Sequence, residues 1–236
     1  MSNLKESAGW PDDFCGKVKL FPLPNLVLFP QVVQPLHIFE PRYCEMLADC
    51  LATDKLISMA LLEKGWEKQY QGFPPIASTV CVGKVISHTP TEDGRHNILL
   101  VGMKRARVTR ELQTEKSYRQ AEVEILEDYY SPEVNDARRL QTERLQELFS
   151  RFVPEGLAAQ DNFKQLVGNQ LPLGVLTDSI TYALGLPLPI KLQLLSECNV
   201  DVRCRILTRC LEQMTDSEQS PCAPISDEFP PPFSDN

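Results

Sequence analysis

The 236-residue sequence lacks the local signatures of several large protein classes. No apolar run reaches the roughly eighteen residues that a membrane-spanning helix needs, and Met1 to Phe14 contains no apolar stretch typical of a secretory signal. Positive charge is also scarce, because 24 Lys and Arg face 32 Asp and Glu and give a net charge of −8. This balance disfavours nucleic acid and anionic membranes as partners. We therefore expect a cytoplasmic protein that acts away from membranes.

Local motifs for catalysis and cofactor binding are missing as well. Gly16-Lys17 and Gly83-Lys84 are both followed by Val rather than by Ser or Thr, so neither forms a P-loop for nucleotide phosphates. No Gly-x-Ser-x-Gly, His-Glu-x-x-His or Cys-x-x-Cys pattern occurs. We predict no catalytic residue, no metal and no cofactor.

The histidines and cysteines show no recognisable ligand spacing. His88 and His96 flank a turn, eight residues apart, and are interpreted as exposed turn histidines rather than zinc ligands. His37 is interpreted as a hydrogen-bonded structural residue. The 8 Cys are interpreted as reduced, mostly buried thiols. A Cys nucleophile paired with His37 or His88 stays open, because such partners meet only in the fold.

Four segments follow from the patterns along the chain. Residues 1–16 are predicted to form a flexible leader, and residues 215–236, which contain no Lys or Arg, a disordered acidic and Pro-rich tail. Residues 17–130 carry short strand patterns broken by Pro and Gly, whereas residues 131–214 carry helical patterns. The fold class is therefore α+β, with a β-rich unit before a helical one.

Short strands dominate the pattern of the first unit. Apolar alternation between residues 97 and 112 slips beyond Gly102, which predicts a β-bulge at or near that residue. One amphipathic helix follows Glu40-Pro41. Bends at Pro and Gly favour a small curled β-barrel over a flat sheet. The predicted strands are Val18–Phe21, Val27–Phe29, Leu56–Leu62, Thr79–Ser87, Asn97–Leu112 and Gln120–Leu126.

The second unit is predicted to be a bundle of four or five helices. Ser131 has the position of an N-cap for the first of them, since Pro132 follows it. A short helix is predicted over about 161–167, and another from Leu173 to Leu184, before Gly185. The last helices lie on either side of Asn199, which has the position of an N-cap.

A basic cluster on a predicted strand is the first candidate binding surface. On an extended strand, Arg105 and Arg107 would project from one face and could hold phosphate or the carboxylates of a partner. A solvated face without a ligand is the alternative interpretation. The cluster consists of Lys104, Arg105, Arg107 and Arg110.

An aromatic loop is the second candidate surface. Trp66, Tyr70 and Phe73 stand among polar residues in the loop Glu63–Pro75. Aromatic side chains on a loop supply contact area for a bound polypeptide at low entropic cost. They can equally fix the loop to its own barrel.

Five stretches of the chain carry a family resemblance. Lys19–Pro30 (KLFPLPNLVLFP) and Pro35–Tyr43 (PLHIFEPRY) resemble, in wording and spacing, the opening of the N-terminal, substrate-binding domain of Lon proteases. Val101–Arg107, Leu171–Asp178 and Cys204–Met214 are similar to later parts of the same domain. The resemblance covers about residues 17–214.

The resemblance implies both a fold and a function. The fold is a barrel like that of pseudouridine synthase and archaeosine transglycosylase (PUA-like), followed by a helical bundle. The family domain recognises unfolded or damaged polypeptides, while the ATPase and the Ser-Lys peptidase of Lon lie downstream of it. We therefore expect a free-standing, non-catalytic polypeptide-binding module, an adaptor or regulator in protein quality control. The expected partners are unfolded or extended polypeptide segments and a separate Lon protease.

Two other functions stay open at this point. PUA-like barrels often hold RNA, so RNA or nucleotide-ligand binding through the barrel and its basic cluster is the first alternative. The net charge of −8, and the lack of aromatic residues within that cluster, oppose it. The second alternative is a hydrolase whose catalytic residues come together only in the fold.

Overall fold

The computed structural model describes residues 10–69, 72–132, 137–153 and 171–216. The chain divides between Leu126 and Glu127 into two units, which are described separately. Among the described residues, the first unit contains the β-strands and one α-helix, and the second contains helices. The predicted α+β class is therefore confirmed.

The strands of the first unit form one mixed sheet. Its order is β2-β5-β4-β3-β1-β6, and β1 and β3 are the parallel pair. Because β6 pairs with both β1 and β5, the hydrogen bonding returns to β5, and the sheet curls. The small barrel predicted from the sequence is thus a curled sheet. Strand β2 pairs with β5 and lies at an edge of this sheet. The strands are β1 Lys17–Leu23, β2 Val33–Ile38, β3 Leu56–Leu61, β4 Thr79–Pro90, β5 His96–Leu112 and β6 Gln120–Leu126.

The prediction of a strand at Val27–Phe29 is wrong. This segment has no regular strand pairing, although its three side chains are at most 5% exposed. Pro30 cannot donate a hydrogen bond, and Gln31 has a positive φ of 64°, so the chain turns before it reaches β2. The run of three apolar residues therefore reflects burial here and not strand pairing.

The bulge predicted in β5 is confirmed. The register with β4 passes from Gly83 opposite Gly102 to Val82 opposite Lys104, so Met103 is the extra residue. Gly102 also contacts the turn that precedes β2, where Gln31 donates its N–H to the Gly102 carbonyl at 2.8 Å. A Cβ atom at position 102 would lie 2.8 Å from the Phe29 carbonyl carbon, and closer still to its oxygen. Only glycine allows this approach of two backbones.

The first unit is completed by a helix and by packing at its N-terminal side. Helix α1, Pro41–Ala52, begins with Pro at its first turn and buries one apolar stripe, as predicted. Residues 10–16, assigned to the leader by sequence, include Trp10 and Phe14, whose ring centroids are 4.8 Å apart. Both rings pack against a cluster that includes Val18 and Leu20.

The second unit contains helices α2 Arg138–Ser150, α3 Leu173–Ala183, α4 Leu188–Ser196 and α5 Val200–Asp216. The helix predicted near 161–167 lies outside the described residues. The N-cap role of Asn199 is confirmed, because its Oδ1 accepts the N–H groups of Asp201 and Val202. Ser131 is not the residue before α2, which begins at Arg138. None of the helices that the structure describes has the length and apolar character needed to cross a membrane.

Arg203 of α5 is fully buried and bonds to three other parts of the helical unit. Its terminal nitrogens donate to both carboxylate oxygens of Asp128, and its Nε donates to Thr177 Oγ1 at 3.1 Å. Asp178 Oδ1 lies 3.4 Å from the same Nε, and the Glu197 carbonyl accepts from Nη1 at 2.7 Å. A buried guanidinium is tolerated because carboxylates and further acceptors surround it.

A second ion pair holds α2 against the first turn of α5. Asp201 is 0% exposed and accepts hydrogen bonds from Arg138 Nε at 2.9 Å and from the Ser131 N–H at 2.7 Å. These donors, the Arg138 guanidinium first, lower the pKa of the Asp201 carboxyl below its ordinary value.

Replacing Gly102 with Ala should lower the free energy of unfolding by about 2–3 kcal/mol, because the added methyl group meets rigid backbone. Gly94→Ala is the matched control, since Gly94 has a φ of 77° but open space around it. It should cost about 1 kcal/mol from the backbone conformation alone. Urea unfolding of both variants measures the difference. Equal losses would show that the contact with Phe29 relaxes freely.

Replacing Asp201 with Asn should remove a pH-dependent part of the stability. Because the pKa of Asp201 is lower in the folded state, its contribution is present above the ordinary carboxyl pKa of about 3.9 and disappears as the pH falls through the lowered value. Parent and Asp201→Asn should therefore differ most at about pH 7, and the difference should shrink as the pH falls below about 4. Urea unfolding across this range tests the prediction, and a constant difference would contradict it.

Candidate functional site

The basic cluster of β5 does not form the face that the sequence predicts. Arg105 is 2% exposed, so it does not share a solvent-facing surface with Arg107. Lys104 is half-buried.

The exposed arginines of the cluster are paired with carboxylates of β6. Arg107 lies opposite Glu124, with 3.5 Å between Nη1 and Oε2, and Arg110 lies opposite Glu122, with 2.9 Å between Nη2 and Oε1. Each carboxylate offsets the positive charge beside it. This neutralised surface offers little attraction for phosphate.

The aromatic loop between β3 and β4 has a fixed base. Glu63 donates its N–H to the Pro75 carbonyl at 2.9 Å, and Leu62 and Ile76 form an antiparallel bridge. A short 3-10 helix, Trp66–Gln69, occupies the first half of the loop. The two ends of the loop are thereby held together in the manner of strands.

Phe73 is the aromatic residue that this loop presents to solvent. Its side chain is 76% exposed, more than any other large hydrophobic residue that the structure describes. Trp66 is half-buried, and Tyr70 lies outside the described residues. Of the three predicted aromatics, Phe73 therefore has the exposure that a contact residue needs.

Arg119 fixes the second half of the loop. Its Nη1 donates to the Pro74 carbonyl at 2.8 Å, while Nε and Nη2 donate to the two carboxylate oxygens of Glu111 at 2.8 and 2.6 Å. The guanidinium carbon lies 5.9 Å from the centroid of the Phe73 ring. No sequence pattern marks Arg119, because the Pro74 carbonyl is a backbone atom far along the chain and Glu111 comes close only in the fold.

A surface depression lies beside the loop. Three of its lining residues, Pro22, Leu62 and Pro74, are apolar. The Arg42 guanidinium lies over the Tyr43 ring at 4.6 Å and pairs with Glu40 at 2.8 Å. Both arginines of the lining are thus neutralised by a glutamate. The complete lining consists of Pro22, Arg42, Tyr43, Leu62, Gly72, Pro74 and Arg119.

The free edge of β2 is poorly suited to receive another strand. The Val32 carbonyl accepts the Gly102 N–H of β5. Backbone N–H and C=O groups point to alternate sides along an antiparallel strand. Residues 34 and 36 therefore direct these groups toward β5, whereas Pro35 directs its backbone outward. Pro35 has no N–H to donate, and its carbonyl accepts Gln34 Nε2 at 2.7 Å. Backbone pairing is therefore blocked at the middle of this edge.

All three histidines of the chain lie near one end of the sheet. His37 Nδ1 is 2.7 Å from Asn97 Oδ1, and His88 Nε2 is 3.0 Å from His96 Nδ1. Burial, followed by the neighbouring His96, lowers the pKa of His88. In the described ranges, no three His, Cys, Asp or Glu side chains are grouped to hold a metal ion. These bonds pair no imidazole with a Cys or Ser nucleophile.

Comparison with known proteins gives one family over most of the chain. The family model described as the ATP-dependent protease La (LON) substrate-binding domain matches residues 17–213. A Lon protease of Azospirillum brasilense is 27% identical over 187 residues, which cover 77% of this chain and 22% of that protein. Lon protease 2 of Myxococcus xanthus is 23% identical over 204 residues, which cover 86% of this chain and 24% of that protein. The chain thus spans at most about a quarter of these relatives.

Solved structures show the same fold. The N-terminal domain of a Mycobacterium avium complex Lon protease superimposes with a TM-score of 0.65 at 16% identity, covering 83% of this chain and 98% of that one. A Lon N-terminal domain protein from Xanthomonas campestris gives a TM-score of 0.57 at 22% identity, covering 86% and 99%.

Arg119→Met should loosen the aromatic loop. The variant removes the charged hydrogen bond to the Pro74 carbonyl, and a loss of about 1.5 kcal/mol would make local opening about tenfold more frequent. Trypsin cleavage after Lys64 or Lys68, followed by mass spectrometry, measures this opening. Arg107→Met is the control, since Arg107 is exposed and pairs with Glu124 of β6, not with the aromatic loop. Equal cleavage rates in both variants would contradict a role of Arg119 in fixing the loop.

Proposed function

The chain belongs to the Lon substrate-binding domain family, and on that premise we propose that it is a non-catalytic polypeptide-binding module. Its clients are unfolded or extended polypeptide segments with apolar side chains. The observation that carries the proposal within this chain is the exposed Phe73 on a loop with fixed ends.

An exposed aromatic ring on a loop that hydrogen bonds hold at its base and at Pro74 has the properties of a binding anchor. Burying the ring against a client removes apolar surface from water, which is favourable. The hydrogen bonds from Arg119 to Glu111 and Pro74 hold the support in place before binding. Little conformational entropy is then lost when a client arrives.

The depression beside Phe73 is the complementary half of the proposed site. Pro22, Leu62 and Pro74 give this shallow depression apolar atoms, against which the end of a client side chain can lie. Addition of a client strand to the sheet edge at β2 is disfavoured, because Pro35 interrupts that edge. We assign client contact to the loop and the depression, and leave the edge of β2 out of the site.

The proposed cellular role is that of a cytoplasmic adaptor or regulator in protein quality control. A separate Lon protease is the proposed partner that would receive the client. The cysteines of the described residues are free, which suits a reducing compartment. The relatives are proteases, but peptide cleavage by this chain is not part of the proposal.

Phe73→Ala should weaken client binding about tenfold or more, as expected for an aromatic residue at the centre of a contact surface. Fluorescence polarisation with labelled, reduced casein measures the dissociation constant of the full chain without added nucleotide. Leu140→Ala is the matched control, because Leu140 is 67% exposed on α2 and lies outside the proposed site. The dissociation constant for casein should be the same for Leu140→Ala as for the parent.

Two outcomes would contradict the proposal. Unchanged binding by Phe73→Ala would exclude the loop as the anchor. Casein binding that disappears at physiological salt would indicate a charge-driven interaction instead. A labelled RNA, tested in parallel, should bind weakly, because the arginines Arg107 and Arg110 are paired with carboxylates.

A further inference from the structure

The β4–β5 hairpin brings together two imidazoles that are separated in sequence. The turn closes with a hydrogen bond from the Thr91 N–H to the Arg95 carbonyl at 2.9 Å. His88 then lies opposite Ile98 and His96 lies opposite Pro90, so the two histidines are diagonal neighbours on one face. His88 Nε2 and His96 Nδ1 are 3.0 Å apart, and the ring centroids are 5.0 Å apart.

This spacing matches that of two nitrogen ligands on one metal ion. Two nitrogens that each lie about 2.1 Å from an ion, at a right angle, are separated by about 3.0 Å. Imidazole nitrogen is a preferred ligand of Ni²⁺, Cu²⁺ and Zn²⁺. We propose that His88 Nε2 and His96 Nδ1 together bind one divalent transition-metal ion, with water in the remaining coordination positions.

The hydrogen bond between the rings does not prevent this binding. One nitrogen of the pair carries the proton of that bond, and each ring has a second nitrogen that can carry it instead. A tautomeric shift, relayed by water, moves the proton to the other nitrogen of the same ring, so both facing nitrogens present lone pairs without a net loss of protons. Both residues are half-buried, so solvent reaches the rings.

The surroundings leave the site with two protein ligands. His37 bonds to Asn97, which follows His96 on β5 and whose side chain therefore points to the opposite face. Arg95 is the cation next to His96 in sequence, and its Nε pairs with Asp93 Oδ2 at 3.0 Å. Its charge is therefore offset. The site lies at the end of β4 away from the Phe73 loop, so the two proposals can fail separately.

Nickel titration of the full chain tests the proposal. Ni²⁺ is paramagnetic and does not oxidise the 8 Cys as Cu²⁺ would. About one equivalent should bind, and the ring proton signals of His88 and His96 should broaden in NMR spectra before those of His37. His88→Gln and His96→Gln keep a hydrogen-bonding side chain, and each should weaken Ni²⁺ binding about tenfold or more by isothermal titration calorimetry. His37→Gln is the matched control and should bind as the parent does.

Three results would overturn the proposal, provided that circular dichroism shows each variant folded. The first is equal Ni²⁺ binding by the parent and both variants, which would assign the metal to thiols. The second is simultaneous broadening of all three histidines. The third is no binding of Ni²⁺ by the parent. Casein binding should be unchanged in His88→Gln, and its loss would place the histidines in the client site instead.

Discussion

A fully buried guanidinium stays charged inside a protein only where acceptors surround it, and Arg203 imposes this requirement on the helical unit. Asp128, Thr177 and Asp178 must all converge on it, which ties the start of the unit and α3 to α5. The backbone at Gly174 comes so close that a Cβ would lie 3.0 Å from Asp128 Oδ2 and 3.2 Å from Arg203 Nη2. The Gly, Thr and Asp within Leu171–Asp178 therefore serve one buried charge. Removing the guanidinium would take this ion pair away from the buried Asp178 carboxylate.

The sequence alone predicts a structural feature correctly where that feature depends on a few neighbouring residues. Pro41 at the start of α1, the Asn199 cap, and the slip of alternation at Gly102 each act within a few residues, and the structure confirms all three. The strand predicted at Val27–Phe29 failed because burial of apolar side chains does not require a paired strand. Ser131 does not directly precede α2, and its N–H is bound by Asp201, which lies far along the chain.

The candidate site shows the same limit more sharply. Composition identifies the loop, since three aromatics stand among polar residues, but it does not distinguish exposed Phe73 from half-buried Trp66. That difference comes from the fold, as do the contacts of Arg119 with Glu111 and Pro74. Arg105 is a parallel case, because strand alternation places it with Arg107, yet only 2% of Arg105 is exposed. His88 and His96 have no ligand spacing in sequence, yet a hairpin makes them neighbours.

In the proposed client site, the neutralised arginines limit the kind of segment that the depression can select. Arg42 pairs with Glu40 and Arg119 pairs with Glu111, so neither offers an uncompensated charge to a client. The net charge of −8 repels acidic segments over longer distances, within the limits set by screening. The favourable contact that remains in the proposed site is with the apolar surface of Phe73 and of the apolar lining residues beside it. Affinity should then follow the apolar and aromatic content of an extended segment, because burial of such surface is the favourable term that this site provides.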